Sequence, residues 1–134
     1  MTPTMPWQGK SVLVVDDAPL VRIQIQELCT AQGLHVVGQA SNGLEALERY
    51  DLLHPDLVML DVLMGEMDGM ECYQRLQKKH SNCAVIFVSA LPQASLLNQH
   101  LPAPLPEGRF IRKPMTEELL QQALQSLYPT SADA

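Results

Sequence analysis

A chain of 134 residues with 46% apolar composition is sized for one globular core. Nine Lys and Arg against fifteen Asp and Glu leave a net charge of −6, and no Lys/Arg run offers a footprint for a phosphate backbone, so direct nucleic-acid binding is not expected. The apolar runs are too short for a membrane span, Met1 to Lys10 lacks a hydrophobic signal segment, and three cysteines without C-x-x-C spacing suggest neither a disulfide framework nor a zinc knuckle; the expected location is cytoplasmic.

In chain order, residues 1–10, with Trp7, are expected to form a loosely held arm, and residues 11–128 a single domain. Ser11 to Val15 is a β-branched run that ends abruptly in Asp16-Asp17, the pattern of a strand buried on both faces. Pro19 then opens a helix in which Val21, Ile25, Leu28, Cys29 and Ala31 keep helical spacing, and Gly33 stops it. His35 to Ala40 is a less apolar strand, suited to a sheet edge. Ser41-Asn42-Gly43 starts a helix with Leu44, Leu47 and Tyr50 on one face, ended by His54-Pro55.

Leu57 to Leu60 repeats the first pattern and ends in Asp61. A loop with Gly65 and Gly69 leads to a helix whose stripe is Met70, Tyr73 and Leu76. Ala84 to Val88 is the most hydrophobic strand and belongs inside the sheet. Pro92, Pro102, Pro104 and Pro106 leave room for only a short helix around Ala94 to His100, and make Leu101 to Pro106 an extended, polyproline-like surface element. Phe110-Ile111 is a short fifth strand ending in Arg112-Lys113-Pro114. Thr116 caps a last helix that Leu119, Leu120, Ala123, Leu124 and Leu127 make strongly amphipathic, before a loose tail at 129–134.

Strands alternating with helices over short loops predict an α/β fold: a flavodoxin-like, doubly wound, five-stranded parallel sheet in the order 2-1-3-4-5, with helices on both faces. Working crevices of such sheets lie outside the carboxyl ends of the strands. The polar residues there are Asp16 and Asp17 after strand one, Asp61 after strand three, Ser89 after strand four and Lys113 after strand five. Three carboxylates in one place repel each other unless a cation sits among them, and hard oxygen ligands suit Mg²⁺. With part of the charge neutralised, a carboxylate oxygen can attack a phosphoryl group. Asp61, on the more central strand, is the candidate nucleophile, with Lys113 and Ser89 as phosphate contacts.

The motifs VLVVDD (Val12 to Asp17), LVMLDVLMGEMDG (Leu57 to Gly69), FVSA (Phe87 to Ala90) and FIRKP (Phe110 to Pro114), in this order, resemble those of response-regulator receiver domains of bacterial two-component systems, over residues 10–128. The resemblance implies that Asp61 is the phosphoacceptor, that Asp17 ligates Mg²⁺ directly and Asp16 mainly through water, and that the main-chain carbonyl of Leu63 completes the metal site. It further implies Ser89 and Lys113 as phosphate partners, Ala90 at the same binding site, Phe110 as a switch aromatic and a cis Lys113-Pro114 bond. The implied partners are a histidine kinase or phosphotransfer protein as donor and a downstream protein as target, with homodimerisation left open.

Two other classes compete. A Mg²⁺-dependent phosphatase forming an aspartyl-phosphate would carry an acid two residues after the nucleophile, where this chain has Leu63; an interaction module that takes no phosphate would not need the five polar residues it retains. No independent enzymatic turnover is expected, although self-phosphorylation from a donor is. Because Leu63 and Leu91, two residues after Asp61 and Ser89, are apolar, self-dephosphorylation is expected to be slow. His35, His54, His80 and His100 read as scattered surface or strand-end residues, the cysteines as core, the methionines around Asp61 as ordinary for the resemblance, and Asn42-Gly43 and Asp68-Gly69 as turn chemistry.

Overall fold

A computed structural model describes residues 5–65, 67–80, 82–91, 101, 105–106 and 108–129. The elements are β1 (Ser11–Val15), α1 (Pro19–Ala31), β2 (His35–Ala40), α2 (Gly43–Leu53), β3 (Leu57–Leu60), α3 (Gly69–Lys79), β4 (Ala84–Ser89), β5 (Phe110–Arg112) and α4 (Glu117–Leu127). All strand pairs are parallel and the sheet order is β2-β1-β3-β4-β5, as expected, with β2 at one edge and β4 inside. The expected helix around Ala94 to His100 lies outside the described residues, as do 102–104 of the proline-rich element and residues 1–4 and 130–134.

Period-two alternation in the strands divides the core into two layers. Val12 and Val14, Leu57 and Met59, and Ile86 and Val88 face one side, where Ile25 and Cys29 of α1 and Leu120, Ala123 and Leu124 of α4 cover them. Leu13 and Val15, Val58 and Leu60, and Val85 and Phe87 face the other, under Ala46 and Tyr50 of α2 and Cys72 and Leu76 of α3. Helix starts follow side-chain capping: Asn42 Oδ1 accepts from the Glu45 amide, Asp68 Oδ1 from Glu71 and Thr116 Oγ1 from Leu119.

Three expectations need correction. Trp7 is not part of a loose arm. It is fully buried in the layer beneath α1 and α4, and its indole N–H donates to the Gln32 carbonyl at 2.9 Å. Chain geometry explains why: the Gly9 amide donates to the Gly33 carbonyl and the Lys10 carbonyl accepts from His35, so the arm runs alongside the α1–β2 turn. Leu44 and Leu119, grouped by spacing with the apolar positions of their helices, are exposed, because the buried positions are Gly43, Ala46 and Tyr50 in α2 and Leu120, Ala123 and Leu124 in α4. Gly43 and Gly69 are more than turn residues. A Cβ on Gly69 would overlap the Asp61 carbonyl oxygen, and one on Gly43 would stand 2.8 Å from the Met67 carbonyl oxygen, so both let a helix start pack directly against the loop after Asp61.

Candidate metal and phosphate site

The site is assembled by backbone bonds that continue the ladders one residue past each strand. The Asp16 amide donates to the Ala40 carbonyl, the Asp61 amide to the Val15 carbonyl and the Lys113 amide to the Ser89 carbonyl, at 3.1, 3.0 and 2.7 Å. Beyond Asp61 the loop is tied on both sides, the Gly69 amide donating to the Val62 carbonyl and the Gly43 amide to the Met67 carbonyl. Five expected polar residues therefore arrive at one end of the sheet.

Asp16 is fully buried, Asp61 nearly so, and Asp17 is exposed at the rim. One carboxylate oxygen from each lies within 4.8 Å of the others, so the three could hold a metal ion. Lys113 Nζ reaches back over them, 2.7 Å from Asp16 Oδ2 and 3.4 Å from Asp61 Oδ1. Asp16 Oδ1 is already engaged by the Ala18 amide at 2.9 Å. Its other oxygen has Lys113 as a charge neighbour but no aligned hydrogen-bond donor, and it is buried. A buried anionic oxygen with open lone pairs, grouped with two more carboxylates and one amine, fits a hard divalent cation.

Electrostatics point the same way. Burial first, and then the Asp16 charge, push the Asp61 carboxyl up to about 6, while Lys113 pulls it down. For Lys113, burial works against the charged form, but the contacts with Asp16 and Asp61 outweigh it and the ammonium is held more firmly than usual. One ammonium is thus shared between Asp16 and Asp61, with Asp17 beside them, leaving the pocket short of positive charge.

Ser89 is buried as the last residue of β4, and its Oγ accepts from the Leu91 amide at 3.1 Å. Ala90 is exposed beside it, Phe110 is half-buried against the α2/α3 layer, and Leu63 stands 61% exposed after Asp61. The Lys113–Pro114 bond is cis. Sequence reasoning missed Arg22, whose Nη1 donates to the Asp16 carbonyl at 2.7 Å; its place one turn into α1 was legible, its direction was not. His54 and His80, read as scattered, converge at the opposite end of the sheet around Tyr50, with ring centroids 6.3 Å apart, and His80 Nε2 lies 3.2 Å from Asp51 Oδ1.

A doubly wound parallel sheet with an acidic, cation-competent pocket and a lysine at its carboxyl edge defines a class of α/β domain that works at its switch point. The family model described as response regulator receiver domain matches residues 12–125, and the chain belongs to that family. It is similar to the chemotaxis protein CheY of Thermotoga maritima, 35% identical over 89% of this chain and 98% of that protein. The chemotaxis protein CheY of Bacillus subtilis is 33% identical over 84% of this chain and 92% of the relative. Among solved structures, the CheX–CheY–BeF3–Mg²⁺ complex of Borrelia burgdorferi aligns with a TM-score of 0.81 at 28% identity, covering 92% of each chain. The response regulator domain of Thermotoga maritima CheB aligns at 0.70 with 30% identity, over 90% of this chain and 92% of that one. This membership supports a phosphoacceptor signalling switch without independent turnover. Among the described residues, no helix is long and apolar enough to cross a membrane.

Proposed function

We propose that this chain is a cytoplasmic two-component switch in which Asp61 takes a phosphoryl group from the phosphohistidine of a histidine kinase or phosphotransfer protein. The observation that carries this reading is the meeting of Asp16, Asp17 and Asp61 within 4.8 Å, under an ammonium 3.4 Å from Asp61 Oδ1. Asp16, Asp17 and Asp61, with the Leu63 main-chain carbonyl, would hold Mg²⁺, which supplies the positive charge that lets phosphoryl oxygens approach carboxylates.

The chain's own residues divide the remaining work. An ionised Asp61 oxygen forms the new O–P bond as the donor's N–P bond breaks, and that bonding pair stays on the donor imidazole. Lys113, already over Asp61, takes a phosphoryl oxygen as a point-charge partner. The Ser89 hydroxyl can rotate its proton toward a second oxygen while still accepting from Leu91, and Ala90 borders the same space. Phe110, half-buried on the strand that delivers Lys113, is placed to repack when Ser89 and Lys113 move. Output then passes to a downstream protein or a second copy; the Borrelia burgdorferi CheY was crystallised with the protein CheX.

Incubation with Mg²⁺ and acetyl phosphate, followed by intact-mass measurement, tests the reading. The wild type gains the mass of one phosphoryl group and Asp61→Asn gains none; equal gain by both, or none by either, would sink it. With apolar Leu63 and Leu91 two residues after Asp61 and Ser89, self-dephosphorylation is expected to be slow, and a lifetime of only seconds without a phosphatase would contradict that expectation.

A further inference from the structure

We infer that Arg22 is a positioning residue for the cation site, fixing the Asp16–Asp17 peptide so that the exposed carboxylate of Asp17 stays beside Asp16 and Asp61. The inference rests on the proposed Mg²⁺-dependent reading and concerns how the site is held ready.

Asp17 has no side-chain support of its own. It is exposed, and its carboxylate accepts no hydrogen bond and makes no ion pair among the described residues. Whatever holds it in the cluster must act through its backbone. The Asp16 carbonyl and the Asp17 amide belong to one planar peptide unit, so anchoring that carbonyl orients the plane from which the Asp17 Cα emerges. Arg22 Nη1 is the anchor, donating to the carbonyl at 2.7 Å. Around it every other group of Asp16 except Oδ2 is also tied: the amide to the Ala40 carbonyl and Oδ1 to the Ala18 amide.

The guanidinium is itself held. Arg22 Nε donates to Gln39 Oε1 at 2.8 Å, and that oxygen also accepts from Gln26 Nε2 at 3.1 Å. Arg22 and Gln26 stand four residues apart on one face of α1, so helix and edge strand together aim the fork. A planar guanidinium can serve two acceptors in fixed directions, which a flexible ammonium cannot.

Charge alone predicts the reverse of positioning. A cation near an acidic pocket repels Mg²⁺, so deleting Arg22 for electrostatic reasons would tighten binding. Deleting a support of ligand geometry weakens it, by about tenfold for outer partners of metal ligands. The sign of the change therefore separates the two.

The experiment is a calorimetric Mg²⁺ titration of wild type, Arg22→Ala, Arg22→Lys and Gln39→Ala, with thermal melts in Mg²⁺-free buffer to establish folding. Arg22→Ala is expected to raise the Mg²⁺ Kd about tenfold, Arg22→Lys to recover part of the loss and Gln39→Ala to weaken binding by less. An Arg22→Ala protein that binds Mg²⁺ as well as or better than wild type overturns the inference. If Arg22→Ala fails to fold, Gln39→Ala decides on the same criterion. A wild type that does not bind Mg²⁺ overturns the metal-dependent reading itself, an outcome distinct from unchanged binding in the variants.

Discussion

At the carboxyl end of the sheet Asp16, Asp61 and Ser89 are buried with Lys113 drawn over them, whereas at the amino end Asp51, Asp56 and Lys79 are exposed and the buried newcomer is apolar, Trp7. Both ends contain ion pairs: Lys79 Nζ sits 2.6 Å from Asp51 Oδ2, much as Lys113 sits 2.7 Å from Asp16. Exposed pairs contribute little to stability because water screens them. Buried like charges cost free energy until a cation or phosphate satisfies them. The amino end thus anchors the fold and the carboxyl end holds unmet electrostatic demand, which is what a switch needs.

The comparison breaks most severely at Trp7. Trp7→Ala is expected to cost about 3–5 kcal/mol, since it empties a fully buried indole site, while Mg²⁺ affinity per folded molecule stays unchanged. Urea denaturation and calorimetry check the two halves, and a matching fall in affinity would show that the ends are not independent. Gly69→Ala comes next. Its Cβ has no space against the Asp61 carbonyl, so it should cost about 1–3 kcal/mol and, unlike Trp7→Ala, weaken Mg²⁺ binding as the acceptor loop shifts.

Asp61→Asn should act in the opposite direction. Removing one charge from a crowded buried set leaves Lys113 with Asp16 and should stabilise the Mg²⁺-free protein by on the order of 1 kcal/mol. Differential scanning calorimetry with a chelator present would reveal a higher Tm, and a lower one would mean that Lys113 depends chiefly on Asp61. The smallest effect belongs to Asp56 at the amino end. Its carboxylate accepts from the Ser11 amide at 2.8 Å and the Ser11 hydroxyl at 3.0 Å, which hold its pKa below the usual range. With the folded pKa depressed, its contribution is present above the unfolded value of about 3.9 and is lost as pH falls through the folded value. Asp56→Asn should therefore lower stability at pH 7 by less than about 1 kcal/mol and make no difference in strong acid; an equal loss at both would assign the effect to shape rather than charge.

Much of the carboxyl end was legible because each functional group follows an apolar run in the chain. Asp16, Asp61, Ser89 and Lys113 are marked by where β1, β3, β4 and β5 end, a local signal. The amino end carried no such mark. Trp7 lies among polar residues and prolines, and only its meeting with Gln32 and the layer under α1 and α4 buries it. His54 and His80 have no shared spacing, yet the ends of α2 and α3 bring both to Tyr50. Leu44 and Leu119 illustrate the limit of spacing: it says which residues share a stripe, and only neighbouring elements decide where the buried stripe is centred.

By itself, the sequence determined the strand and helix order, the two-faced burial of β1, β3 and β4, and the identity of the acids at their ends, because hydrophobic period and chain order are local properties. Tertiary structure alone decided that Asp16 Oδ2 is buried without an aligned donor, that Gly69 must lack a side chain, and that Arg22 reaches the Asp16 carbonyl. Each depends on distances between segments far apart or turned toward one another in the chain, and such distances exist only once the sheet and its helices have packed.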